Sequence, residues 1–151
     1  MLSKEDRLNL GSGGSTREGW INLDCHPFPG VNCVHKLDIF NPRLPFPDNH
    51  FVEVYTSHFL EHLFNRLGIL EEIWRVCKPK ARVQIKVPRA PHPDSFRDPT
   101  HYSFWNEEVL DYLDPTQPLG RGFGFYSKAK FRILEKQVSS AEVQWILEAL
   151  K

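Results

Sequence analysis

The chain has 151 residues, with 19 Lys and Arg against 19 Asp and Glu and a formal net charge of +0. Residues 1–151 therefore make one domain, long enough for a single core, and the balanced charge argues for neither nucleic acid nor an anionic membrane. No apolar stretch approaches the roughly 20 residues of a membrane span.

The opening residues are charged and lack a signal-peptide apolar region. Cys25, Cys33 and Cys77 are odd in number and show no C-x-x-C spacing, which suits free thiols in a reducing, cytoplasmic setting.

A first strand is expected at residues 7–10, stopping at the glycine cluster Gly11-Ser12-Gly13-Gly14. A second is expected at 21–24, stopping at Asp24. Glycines after a strand let backbone approach a ligand, and a carboxylate ending the next strand can accept from a ribose diol. The link between these strands leaves room for about one helical turn, so a nucleoside without a phosphate chain fits better than a dinucleotide.

A third strand is expected at 32–37, ending at Asp38, followed by a proline-rich loop over 39–49. Residues 51–57 read as a fourth strand by their β-branched and aromatic content. The clearest helix is 65–77, with apolar residues at helical spacing, Asn65 as cap and Pro79 as stop.

Strict alternation makes 82–87 a fifth strand, and 88–103 is a long, proline-punctuated loop of the kind that carries function. A short helix is expected at 106–113, then a turn-rich stretch at 114–124. Gly120-Arg-Gly-Phe-Gly-Phe-Tyr126 reads as the loop entering a sixth strand. Residues 131–138 and 142–147 form a terminal antiparallel hairpin, since three residues cannot make a crossover.

The first four strands end at Gly11, Asp24, Asp38 and His58. Ligands of open α/β sheets bind beyond such carboxyl ends. The strands alternate polar and apolar residues, and the first two crossovers lack a proper helix. One face of the sheet is therefore expected to be thinly covered, with a homodimer through that face as a consequence.

The segments L-N-L-G-S-G-G, G-W-I-N-L-D, K-L-D-I-F, the run from Leu44 to Leu63 and E-E-I-W-R-V-C-K-P together resemble class I S-adenosylmethionine-dependent methyltransferases. The closest resemblance is to the small group similar to the type 11 domain. It implies a reduced Rossmann-like fold, S-adenosylmethionine as cofactor and a small-molecule or glycan-like acceptor. It further implies that Leu10, Gly11, Ser12 and Gly13 line the cofactor's methionine and ribose. Asp24 takes the ribose hydroxyls, Asp38 and the Ile39 backbone meet the adenine edge, and Ser57 and His58 border the transferred methyl group. Asn9 stands where many relatives carry an acidic residue, placing an amide near the cofactor's amine.

His58-Phe-Leu-Glu61-His62 puts three polar groups on adjoining faces if the segment is helical. His58, Glu61, His62 and His101 are expected to border the acceptor, with His58 or His101 as base and Asp98 orienting His101. The same spacing admits a metal held by His58, Glu61 and His62, but no metal is assigned. The alternative to turnover is a non-catalytic or partner-dependent binding module.

Overall fold

A computed structural model describes residues 6–151. Seven strands form one sheet in the order β3-β2-β1-β4-β5-β7-β6. They are β1 (Arg7–Leu10), β2 (Ile21–Asp24), β3 (Cys33–Val34), β4 (Phe51–Ser57), β5 (Cys77–Pro88), β6 (Phe131–Val138) and β7 (Glu142–Ala149). The first five run parallel, and β7 pairs antiparallel with both β5 and β6.

Alternation sorts the sheet into two unlike faces. Leu8, Leu10, Leu23, Val54, Val83, Ile85, Val87, Trp145 and Leu147 share one buried cluster with Ile69, Leu70, Ile73 and Val76 of helix α1 (Arg66–Val76). Each such side chain contributes about 1.5–3 kcal/mol on leaving water. Asn65 starts the helix by accepting from the Gly68 N–H at 2.8 Å.

Among the described residues the other face carries no long helix, and it is polar from strand to strand. The register sets Arg7 beside Glu53, Glu53 beside Arg82 and Arg82 beside Glu148. Arg7–Glu53 and Arg132–Glu148 pair at 3.4 and 3.7 Å. This is the thinly covered face expected from the alternation.

On that face the missing first crossover helix is replaced by amides. Asn9 donates to Asn22 Oδ1 at 2.9 Å and to the Ser15 carbonyl at 3.0 Å. Asn22 in turn accepts from the Arg17 N–H and donates to the Arg17 carbonyl. Arg17 then lies over the Tyr55 ring, 3.6 Å from its centroid. The Asn9 amide is thus used to pin the loop between β1 and β2.

Several elements differ from expectation. β3 has two paired residues rather than six, because β2 ends at Asp24 and offers nothing further to pair with. α1 stops at Val76, and β5 begins at Cys77 opposite Phe51, so the helix ends in a strand before Pro79 is reached. The helix expected at 106–113 is a 3-10 turn over Val109–Leu113. The stretch assigned to turns holds a short helix α2 (Pro118–Phe123), started by Pro118, so Gly120 lies in a helix and not in a loop. Among the described residues no helix is long and apolar enough to cross a membrane.

Candidate functional site

The carboxyl ends of β1, β2 and β4 meet at the glycine loop. Gly11 and Gly13 adopt φ of 66° and 51°, left-handed values that side chains resist. Gly11 is also pressed by Phe59: a Cβ there would overlap the ring. Gly13 faces open space. Asp24 spans this loop, accepting from the Gly13 N–H at 2.9 Å and the His26 N–H at 3.0 Å. Its oxygens keep lone pairs that a ribose diol can meet.

Other residues assigned to the cofactor are placed less directly. Leu10 is fully buried, so only its backbone faces the loop. Ser12 is buried and directs its hydroxyl to the Gly13 carbonyl at 3.3 Å. Asp38 is exposed and accepts from the Phe40 and Asn41 N–H groups at 2.8 and 3.1 Å. The Ile39 carbonyl accepts from Phe64 and Asn65, tying this turn to the start of α1. The open space at Gly13 and the half-exposed Asp24 carboxylate leave room and free acceptor positions for a ligand at this end. A cavity of about 230 Å³ at this end is lined by Asn9, Gly11, Ser12, Ser15, Tyr55, Ser57 and His58.

The second half of the site is built by the long loop. The Tyr102 and Ser103 N–H groups both donate to the Glu61 carbonyl, at 2.8 and 3.1 Å. Arg89 and Glu107 clamp the base of the loop through two contacts of 2.7 Å. Glu107 is held down to about 2 by that guanidinium. This strap carries His101 against Glu61, a meeting of residues 40 apart in sequence.

His58, Glu61, His62 and His101 are therefore brought together. The segment does not meet the condition of being helical throughout. His58 has φ 53°, and only Leu60–His62 form a single 3-10 turn. The Glu61 side chain is 3% exposed, and among the described residues neither of its carboxylate oxygens has a hydrogen-bond partner. Burial pushes its pKa up to about 7, and the charge on Asp98 adds to the rise. Burial, with the neighbouring His101, pushes His62 down.

His58 donates through Nε2 to Glu142 Oε2 at 2.7 Å. Asp98 does not orient His101 as expected. The His101 ring nitrogen and the Asp98 carboxylate are 3.7 Å apart, and that carboxylate instead accepts from Thr100, which holds its pKa low. The His101 ring is fixed by the Ser95 carbonyl, 3.1 Å from Nδ1.

A cavity of about 250 Å³ opens here, lined by His58, Pro88, Asp94, Arg97, Asp98, His101, Ala141 and Glu142. Sequence reasoning missed Glu142, Ser95 and Thr100. Glu142 arrives through the Pro88–Glu142 register of β5 and β7. The expected hairpin could have signalled it, since a strand running antiparallel to β5 from residue 142 starts near the close of β4.

A family model described as a methyltransferase domain, of type 11, matches residues 25–85. No curated protein matches. Among solved structures, an S-adenosylmethionine-dependent methyltransferase from Aquifex aeolicus is similar at 16% identity and a TM-score of 0.64, covering 98% of this chain and 84% of its own. One from Archaeoglobus fulgidus is similar at 17% identity and a TM-score of 0.61, covering 94% and 85%. A chain of the Haloferax volcanii complex between the Trm112 methyltransferase activator and a methyltransferase shares 14% identity at a TM-score of 0.67, covering 99% and 84%.

Proposed function

We propose that the chain is a class I methyltransferase of the type 11 kind with S-adenosylmethionine as its cofactor, and that it methylates a small, polyhydroxylated, glycan-like acceptor, with His58 as base. The observation that carries this is the position of His58, which lines both the cavity at the glycine loop and the cavity under the long loop.

The cofactor supplies a methyl group already activated on sulfur. The protein's part is to hold and align. Asp24 would bind the ribose diol, with the Gly13 backbone drawn against it. Asp38 and the Ile39 backbone would meet the adenine edge, and Ser57 would border the methyl group.

In the acceptor cavity, Asp94, Asp98 and Glu142 offer acceptors for sugar hydroxyls, with Arg97 as a donor. Three carboxylates at that rim disfavour a phosphate. Glu142 orients the His58 ring and balances the charge the ring gains on taking a proton at Nδ1.

Bound turnover assays with a panel of sugars, amines and small hydroxyl compounds test the reading. Replacing His58 with Ala should lower turnover by about 100-fold or more while leaving S-adenosylhomocysteine affinity unchanged. A variant with normal turnover removes His58 as base.

A second reading is favoured by one observation. The link from β1 to β2 contains no helix, so the cofactor's seat rests on Asn9, Asn22 and Asp24. Such a seat suits a chain that turns over only with an activating partner, as the Haloferax volcanii complex pairs a methyltransferase with Trm112. Binding without turnover across the whole panel supports this second reading.

A further inference from the structure

Three imidazoles surround one carboxylate oxygen. Glu61 Oε1 lies 3.9 Å from His58 Nδ1, 3.9 Å from His62 Nε2 and 3.8 Å from His101 Nε2. All three separations are too long for hydrogen bonds.

The outer hydrogen bonds of the rings say which nitrogens carry protons. His101 Nδ1 stands 3.1 Å from the Ser95 carbonyl, which can only accept, so Nδ1 holds the proton of the neutral ring. Thr100 donates its single hydroxyl hydrogen to Asp98 at 2.6 Å, so at 2.9 Å it accepts from His62 Nδ1. His58 Nε2 donates to the Glu142 carboxylate at 2.7 Å. In each neutral ring the remaining nitrogen bears a lone pair and faces Glu61. Four acceptors converge with no donor between them.

The carboxylate in the middle is 3% exposed, and its oxygens are unpartnered among the described residues. A buried anion ringed by lone pairs is unfavourable unless it takes up a proton or a cation sits among them.

We propose that Glu61, His62 and His101 bind one divalent transition-metal ion of the zinc type. Their ligand atoms all lie within 4.8 Å of one another. Ligands at about 2.0–2.2 Å from a shared zinc ion stand about 3–4 Å apart, so only small shifts are needed. Two imidazoles with one carboxylate favour zinc or iron(II) over magnesium or calcium, which take oxygen ligands. The outer Nδ1–H groups of His62 and His101 already have the hydrogen-bond partners that fix metal-binding imidazoles.

His101 also lines the acceptor cavity, so the ion would lie beside it. A hydroxyl bound there is easier to deprotonate. That use of the ion rests on the proposed function; ion binding itself does not.

The test is calorimetric titration of zinc chloride into metal-stripped protein, with magnesium chloride as comparison. Wild type should take up one zinc per chain and give no binding with magnesium. The variants Glu61→Gln and His101→Gln should bind zinc at least about 100-fold more weakly. Glu61→Gln removes a buried charge, so metal-free it should melt no lower than wild type, which separates lost binding from lost fold.

S-adenosylhomocysteine is titrated into the same preparations. Its absence of binding to wild type would count against the proposed function and leave the ion site standing. Wild type that takes up no zinc, or variants that bind it as tightly as wild type, overturn the proposal. Equal binding by the variants would mark an adventitious ion.

Discussion

Glu61 and Glu72 are both buried glutamates, yet their surroundings are opposite. Glu72 accepts from Arg75 Nε at 2.7 Å, from a second Arg75 nitrogen at 2.8 Å, from Arg43 at 3.1 Å and from the Leu44 N–H at 2.7 Å. Burial alone would raise its pKa, but the Arg75 guanidinium and the Leu44 N–H outweigh burial and hold it below the usual carboxylate range. Among the described residues Glu61 accepts from no side chain, and burial takes it up to about 7. A buried carboxylate with every lone pair met holds the fold together. One left bare in a cleft, among rings whose own lone pairs face it, is placed for a ligand.

The comparison can be broken by taking away the partner of Glu72. Replacing Arg75 with Ala takes two of the four donors from Glu72, leaving only Arg43 and the Leu44 N–H, and should cost about 3–5 kcal/mol in chemical denaturation, the largest loss expected here. The pH dependence sharpens the same point. The folded pKa of Glu72 is depressed, so its stabilisation is present above its unfolded pKa, about 4.3, and is lost as pH falls through the lower folded value. Glu72→Gln should therefore remove part of the acid destabilisation below that pH, and an unchanged acid limb would contradict the assignment.

The glycine-loop end resembles Glu72 rather than Glu61, because its carboxylate, Asp24, has donors in the Gly13 and His26 N–H groups. Gly11 and Gly13 test how tightly. Gly11→Ala combines a left-handed φ with overlap of the Phe59 ring and should cost about 2–4 kcal/mol, read from melting and denaturant midpoints. Gly13→Ala meets open space and should cost only about 1–2 kcal/mol, for its backbone conformation alone. Equal losses would mean that Phe59 yields freely.

Asn22→Leu gives a smaller effect than Gly11→Ala. It leaves the Asn9 amide and the Arg17 N–H without their acceptor and should cost about 1–3 kcal/mol. Amide hydrogen exchange should quicken in the loop between β1 and β2 before it quickens in β4. Uniform exchange would deny that these amides hold the loop.

The strands were legible because their periodicity is a property of the chain itself: Arg82, Gln84 and Lys86 alternate with Val83, Ile85 and Val87 on opposite faces of one sheet. The short β3 and the early end of α1 were not, since both depend on what a neighbour offers. Cys77 leaves the helix to pair with Phe51, a choice that no local propensity encodes. Gly120 and Gly122 concealed α2, although Pro118 at its first position was a usable sign.

At the site, Gly11, Gly13 and Asp24 could be read from chain order at strand ends. The nearness of His58, Glu61 and His62 followed from spacing, although the segment is not helical. Glu142 does not follow from spacing; placing it takes a further step, the antiparallel register of the expected hairpin against β5. The bareness of Glu61 is a property of the packed interior.

Calorimetric titration of S-adenosylhomocysteine into wild type and Asp24→Asn bears most directly on the two-cavity site that meets at His58. Wild type should bind one molecule per chain, and Asp24→Asn should bind at least about tenfold more weakly, having lost a charge-assisted contact to the diol. Absence of binding to wild type at millimolar concentration, or equal binding by Asp24→Asn, would contradict the placement of the cofactor between the glycine loop and Asp24.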